Sequence, residues 1–361
     1  MSSIVKDAGL VSSPDKILGL RADLLRWYDI NGRDLPWRGG KSDPYRVWLS
    51  EVMLQQTTVP HAAPYYEKFL KLWPTVASLA AAPDEQVMAE WAGLGYYSRA
   101  RNLIKCARAV VRDHGGRFPP SETELLKLPG FGPYTAAAVA AIAFGEAANV
   151  VDGNIERIMT RLYAIEAPLP GARPLVRRVA QAWVSNDRAG DWPQALMDLA
   201  TAICRPKAPL CLLCPLRAGC AGFASGQPER FPVKAAKAAK PRRHGVAFVF
   251  TDGDGFIAER RADKGLLGGM LGVPHTPWRD TPWREAEARA ILGAFSFEVA
   301  GAYEHVFTHF ALTQEIWLIR PTKSEREAML RAHNDWQWLP LGRAGDLPTV
   351  FRKAVKGLTA S

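Results

Sequence analysis

From Ser13 to about Phe223 the arrangement of apolar and polar positions reads as helix after helix. Helix starts are clearly marked. Ser13-Pro14 and Asp43-Pro44 each pair a capping residue with a proline suited to the first helical position. Ser121 and Glu124 have the spacing of a capping box ahead of Leu125-Leu126-Lys127-Leu128. That helix is expected to end at Leu128, where Pro-Gly-Phe-Gly turns the chain into an alanine-rich helix opening at Pro133. The segment RFPVKAAKAAKPRR, 230–243, has no apolar period and reads as a basic linker. Beyond it the period changes. GVAFVF and GFIAER flank TDGD as strand, turn and strand, and HVFTHFALTQEIWLI alternates like further strand. Thr281-Pro282 is expected to open a short helix through Ile291, making this second part an α+β domain.

Length supports the same division, because 361 residues exceed one ordinary domain. Nearly half the residues are apolar, enough for two cores, yet no stretch approaches the roughly 20 apolar residues of a membrane span. The N-terminus MSSIVKDAGLVSSPDK lacks the pattern of a signal peptide, so a cytoplasmic location is expected. In a reducing compartment the cysteines are not expected to form disulfides. A net charge of +10 favours a polyanionic partner, nucleic acid first.

The turn between the two helices is the first candidate site. Gly130 and Gly132 permit positive φ and close backbone approach. Free amides at the start of the second helix would then face an anion, the device by which a helix-hairpin-helix grips a DNA phosphate. An ordinary helical hairpin with packing glycines is the alternative. ANVVDGNIERIM follows, placing Asp152 where it caps a helix, faces the sugar held by such a grip, or does both.

Glu51 lies between Val47 and Leu54 on one side and Trp48 and Val52 on the other, within an apolar stripe. Such a carboxylate is costly unless paired or protonated. It is therefore either a general acid whose pKa is raised by burial, or half of an ion pair with Arg33, Arg38 or Arg99. Glu51 and Asp152 together fit glycosidic cleavage by two carboxyls in different environments. Four of the five cysteines, Cys204, Cys211, Cys214 and Cys220, form Cys-x6-Cys-x2-Cys-x5-Cys. Four thiolates suit zinc or an iron–sulfur cluster, and spacing alone does not choose. Cys106, in NLIKCARAVV, reads as a core residue.

LPWR, WLSEVMLQQT, GLGYYSRARNL, LPGFGPYTA, VDGN, the four-cysteine loop and FTHF occur in the order found in MutY-type adenine DNA glycosylases of the helix-hairpin-helix superfamily. The resemblance runs over nearly the whole chain. It implies an all-α catalytic domain over 13–228, with the helix-hairpin-helix at about 121–145 and a [4Fe–4S] loop at 204–220. A basic linker at 229–243 and a NUDIX-like α+β domain at 244–361 would follow. The implied reaction is removal of adenine opposite 8-oxoguanine or guanine in duplex DNA, by a monomer whose abasic product passes to an AP endonuclease. The resemblance also assigns roles. Glu51 would protonate adenine; Asp152 would stabilise the cationic sugar, with Tyr134 and Asn154 beside it. Arg33, Leu35, Trp37, Arg38 and Gln194 would line the adenine pocket. Gln56, Leu94 and Tyr96 would wedge into the duplex, and Gly130 and Gly132 would hold its backbone. Phe307, Thr308 and His309 would contact 8-oxoguanine, although His309 reads equally as a sheet histidine bonded to a neighbour.

The chain departs from that pattern in places. Ala137 and Leu267 stand where glycine and tryptophan are common, and Thr308 where serine is usual. WRDTPWREAEARAILG lacks the metal-binding box of NUDIX hydrolases despite Glu285 and Glu287, which argues against a nucleotide pyrophosphohydrolase. An endonuclease III-like lyase would carry lysine at position 134 and lack the C-terminal domain. A non-catalytic damage binder would lack one of the two acids.

Overall fold

The structure is a computed structural model that describes residues 13–38, 43–235, 240–262 and 265–359. The chain divides into two compact units, Met1–Ala236 and Lys237–Ser361.

The first unit is helical. Its helices are α1 (Pro14–Asn31), α2 (Pro44–Met53), α3 (Val59–Leu72), α4 (Val76–Ala81), α5 (Asp84–Glu90), α6 (Ser98–His114), α7 (Glu122–Leu125), α8 (Pro133–Phe144), α9 (Gly153–Leu162), α10 (Arg173–Gln181), α11 (Asp191–Ala202) and α12 (Ala221–Ala224). Pro44 opens α2, and the Asp43 carboxylate accepts from the Tyr45 N–H. Helix α8 is apolar all round, and every residue from Thr135 to Ala141 is buried, as such a composition requires. Its alanines let α2 pack against it, and Ala137 is fully buried, so a methyl is accommodated at that position. Helix α2 is correspondingly buried from Val47 to Met53. α1 and α9 both pack on α11.

Three local expectations need correction. Helix α7 ends at Leu125, three residues early, and the chain continues through turns to Leu128. The Ser121 hydroxyl accepts from the Glu124 N–H but donates to the Glu124 carboxylate itself (3.0 Å), so only half of the expected box forms. The segment read as a linker is also shorter. Phe231 is buried, and Val233 and Ala235 exchange backbone bonds with Leu169. At its other end Arg242 and Arg243 already belong to a strand, while 236–239 lie outside the described residues, as does the N-terminal stretch 1–12.

The second unit holds β1 (Arg242–Phe250), β2 (Gly255–Arg260), β3 (Leu271–Gly272), α13 (Glu285–Leu292), β4 (Glu298–Val306), β5 (Ala311–Ile319), α14 (Lys323–Ala332), β6 (Trp336–Pro340) and α15 (Thr349–Val355). One sheet runs β1-β5-β4, with β1 parallel and β4 antiparallel to β5; the other runs β3-β2-β6 and is antiparallel. The strands flanking TDGD therefore enter different sheets, linked across the turn by a Thr251–Phe256 bridge and a Thr251 hydroxyl bond to the Gly255 carbonyl. Burial explains the split. Val246 to Phe250 are all buried, so β1 is covered on both faces, as parallel strands are. Helix α13 begins at Glu285 rather than Pro282. The Glu287 carboxylate is engaged by Arg279 and the Arg284 N–H. Leu267 is partly buried against the core of this unit, with φ of 60°.

Candidate active site

Glu51 and Asp152 converge on one cleft of about 950 Å³, where Tyr134 and Asn154 also line the wall. Glu51 reaches it from the stretch of α2 that is buried from Val47 to Met53, and the residue is 7 % exposed. The hydroxyl of Tyr134, the second residue of α8, donates to Glu51 Oε2 at 2.7 Å. Burial raises the Glu51 pKa to about 7; the Tyr134 hydrogen bond and Arg38 oppose this, and the Asp152 charge adds to it. Burial likewise holds the Tyr134 phenol well above its ordinary range, so it remains a donor.

Asp152 occupies the opposite kind of environment. It is the N-cap of α9, with Oδ1 accepting from the Asn154 N–H (2.9 Å) and the Ile155 N–H (2.7 Å). Oδ2 accepts from the Asn154 amide at 2.9 Å. Capping and facing the cleft are thus done by one carboxylate. Asn154 is held in turn by Arg157, which also donates to the carbonyls of Ala200 and Cys204.

The alternative of a Glu51–arginine ion pair is not what the structure contains. Arg33 and Arg38 both bind Asp198 on α11, and Arg99 donates to the carbonyls of Val52, Met53 and Leu94. Asp198, 1 % exposed, was not singled out from the sequence. The available signal was its position four residues after Gln194, a carboxylate within an apolar run like Glu51 itself. Arg33, Leu35, Trp37, Arg38 and Gln194 are brought together with Glu51 around an inner pocket off the cleft. Gln194 donates to the Gly190 carbonyl at 3.0 Å.

Gln56, which lines the cleft, and Tyr96 are both exposed, and both carry positive φ, 56° and 47°. Such conformations are strained for residues with side chains and concentrate at functional surfaces. Leu94 differs from expectation: at 5 % exposure it lies in the core, because the turn that lifts Tyr96 points residue 94 inward. At the hairpin, Gly130 has φ of +79°, and a Cβ there would come within 2.7 Å of Asn102 Cβ. Gly132 is extended (φ −101°), so of the two glycines only Gly130 uses the positive φ that both permit. A Cβ at Gly132 would meet nothing within 4 Å, so that position stands open at the N-cap of α8.

All four cysteines of the loop line one small cavity with Arg161 and Arg217. Burial raises the thiols of Cys211, Cys214 and Cys220. Among the described residues no group of three His, Cys, Asp or Glu is arranged to hold a metal ion. Zinc at about 2.3 Å from each sulfur would draw the sulfurs within roughly 4 Å of one another. Cys106 is fully buried in α6.

In the second unit, residues 307–310 form the turn between β4 and β5, closed by a Phe307 N–H to Phe310 carbonyl bond of 2.8 Å. Phe307 packs on Trp278 and Phe310, while Thr308 and His309 are exposed at the tip. His309 therefore sits in the turn rather than within a strand.

Comparison with known proteins agrees with this division. The model of the "HhH-GPD superfamily base excision DNA repair protein" family matches residues 49–184, and that of the NUDIX domain matches 245–357. The adenine DNA glycosylase of Homo sapiens is 34 % identical, the match covering 84 % of this chain and 67 % of that protein. That of Mus musculus is also 34 % identical, over 85 % and 72 %. The Arabidopsis thaliana protein is 35 % identical over 80 % of this chain, which spans only 55 % of it. Among solved structures, a thermostable thymine-DNA glycosylase superposes with a TM-score of 0.54 at 30 % identity, over 58 % of this chain and 98 % of that one. A non-covalent endonuclease III–DNA complex, at 21 % identity and a TM-score of 0.51, shares the fold of the helical unit. On the identity and coverage of these relatives, the chain belongs to the adenine DNA glycosylase family.

Proposed function

We propose that this protein hydrolyses the N-glycosidic bond of adenine paired with 8-oxoguanine or guanine in duplex DNA, leaving an abasic site. The observation that carries the reading is the pairing of a buried Glu51, pKa about 7, with an Asp152 that receives two backbone N–H bonds at a helix start. The first carboxyl suits proton donation at neutral pH; the second suits stabilising positive charge.

The target nucleotide must leave the stack, since its glycosidic bond is out of reach inside a duplex. Exposed Gln56 and Tyr96 would fill the space it vacates, and the open N-cap of α8 would hold the backbone. In the inner pocket Glu51 delivers its proton to the adenine ring, and the C1′–N9 electron pair leaves with the base. The Asp152 carboxylate faces the oxocarbenium-like sugar until water adds at C1′, directly or after a transient ester with Asp152. Tyr134 and Asn154 position the two acids. Tyr134 carries no amine and cannot form a Schiff base. The product strand should therefore stay intact until alkali or an AP endonuclease breaks it. Borohydride trapping of a protein–DNA adduct through a lysine would contradict this.

The cysteine loop, whose four thiols line one cavity, supports a [4Fe–4S] cluster, the group implied by the family resemblance. Bound by Cys204, Cys211, Cys214 and Cys220, the cluster would staple a loop presenting Arg205, Lys207 and Arg217 to phosphates. Protein purified anaerobically should contain four irons per chain; stoichiometric zinc without iron would contradict the assignment.

The exposed tip at Thr308 and His309, anchored by Phe307, supports contact with 8-oxoguanine. A full-length Thr308→Ala/His309→Ala protein should lose about ten-fold of its preference for 8-oxoguanine·A over G·A at matched salt. One good polar base contact is worth roughly 1–3 kcal/mol. An unchanged preference would leave the reading to Gln56 and Tyr96.

A further inference from the structure

Glu51 shares its pocket with two guanidinium groups, yet its carboxyl is bonded to a phenol. The reason lies on α11. Asp198 accepts from Arg33 Nε (2.7 Å) and the Arg33 N–H (2.9 Å), and from Arg38 at 2.7 and 3.1 Å. Its side chain is 1 % exposed, against 14 % for Arg38 and 32 % for Arg33. We propose that Asp198 is a positioning residue that holds Arg33 and Arg38 away from the Glu51 carboxyl, so that Glu51 keeps the proton it must deliver. This rests on the reading of Glu51 as the general acid.

The groups facing Glu51 are few. Tyr134 comes from α8 and Asp152 from the start of α9; Arg33 and Arg38 come from the segment after α1, and Asp198 from α11. Two cations and one dedicated anion leave the arginine pair with one positive charge in excess, which Asp152 opposes from the other side of the acid. Arg38, though paired, still pulls the Glu51 carboxyl downward, so it lies within electrostatic reach. Without the Asp198 charge the excess doubles and a guanidinium is free to turn to the next carboxyl. An opposite charge within about 4–6 Å lowers a carboxyl pKa by roughly 1–3 units. Glu51 would then be ionised at neutral pH and unable to act as an acid.

The test is the pH profile of single-turnover adenine release between about pH 5 and 9. Asp198→Asn should move the falling limb down by a unit or more, so that it loses about ten-fold more rate at pH 8 than at pH 5.5. Asp198→Asn/Arg38→Met restores the original excess of one positive charge and should return the limb to its wild-type position. A limb at the wild-type position in Asp198→Asn, with rate lowered equally at every pH, would overturn the proposal. If the single variant does not fold, the double variant decides, because a limb lowered there would overturn it equally. Undiminished release by Glu51→Gln would sink the general-acid reading itself. An inactive Glu51→Gln with an unmoved Asp198→Asn limb would sink only the role of Asp198.

Discussion

Glu51→Gln should abolish adenine release while making the protein more stable above pH 7. The amide fills the same space and can still accept from the Tyr134 hydroxyl, so the fold and DNA binding should persist. It cannot deliver a proton, and loss of general acid catalysis costs on the order of 10²–10⁴ in rate. The stability gain follows from the same burial. The folded pKa of about 7 stands above the unfolded value of 4.5, so between these the folded chain binds more protons than the unfolded one. Stability contributed by this group therefore falls as pH rises from about 4.5 to 7, by about 3 kcal/mol in all. A glutamine does not ionise and escapes that loss. Thermal melts of both proteins at pH 5 and pH 8 should diverge only at the higher pH. A Glu51→Gln protein with wild-type turnover, or with the same pH dependence of melting, would remove Glu51 from its assigned place.

Arg161→Met should destabilise the helical unit by about 3–5 kcal/mol and loosen the cysteine loop. The guanidinium is 2 % exposed and donates to the carbonyls of Arg205 (2.7 Å), Pro206 (2.9 Å) and Phe231 (3.1 Å). It also lies 3.4 Å from Cys204 Sγ. Methionine preserves apolar bulk but leaves the buried Phe231 carbonyl and two part-buried carbonyls without this donor, at about 1–3 kcal/mol for the buried one and less for each of the others. The melting temperature should fall by about 10 °C, and the purified protein should hold less than its full metal content. A melt within two degrees of wild type with full metal would show that the loop is anchored elsewhere.

Arg161 illustrates what the sequence does not display. An arginine within GNIERIMTRL reads as an exposed helical residue; only tertiary packing brings it under the loop 40 residues later. Asp198 escaped notice for the same reason, its partners Arg33 and Arg38 lying 160 or more positions away. Glu51 and Asp152 were legible because their signals are local: an acid inside an apolar stripe, and an acid before a helix-opening glycine. Tyr134, and the choice of a cluster over zinc for the four cysteines, became legible through motif order rather than through physics. In the second unit the strand period was visible in β1, β2 and β5, whereas β4, largely exposed along Glu298–Val306, gave no alternation to read. The pairing of β1 with distant β5 instead of adjacent β2 depends on burial across the whole unit, which a local pattern cannot carry.

The most direct measurement is single-turnover incubation of the purified chain with a duplex holding one adenine opposite 8-oxoguanine, followed for both free base and strand integrity. The account predicts free adenine in stoichiometric amount, an intact strand that breaks only on alkali treatment, and neither free adenine nor alkali lability from Glu51→Gln. Retention of the adenine by the wild-type protein, or a strand broken without alkali, would contradict it.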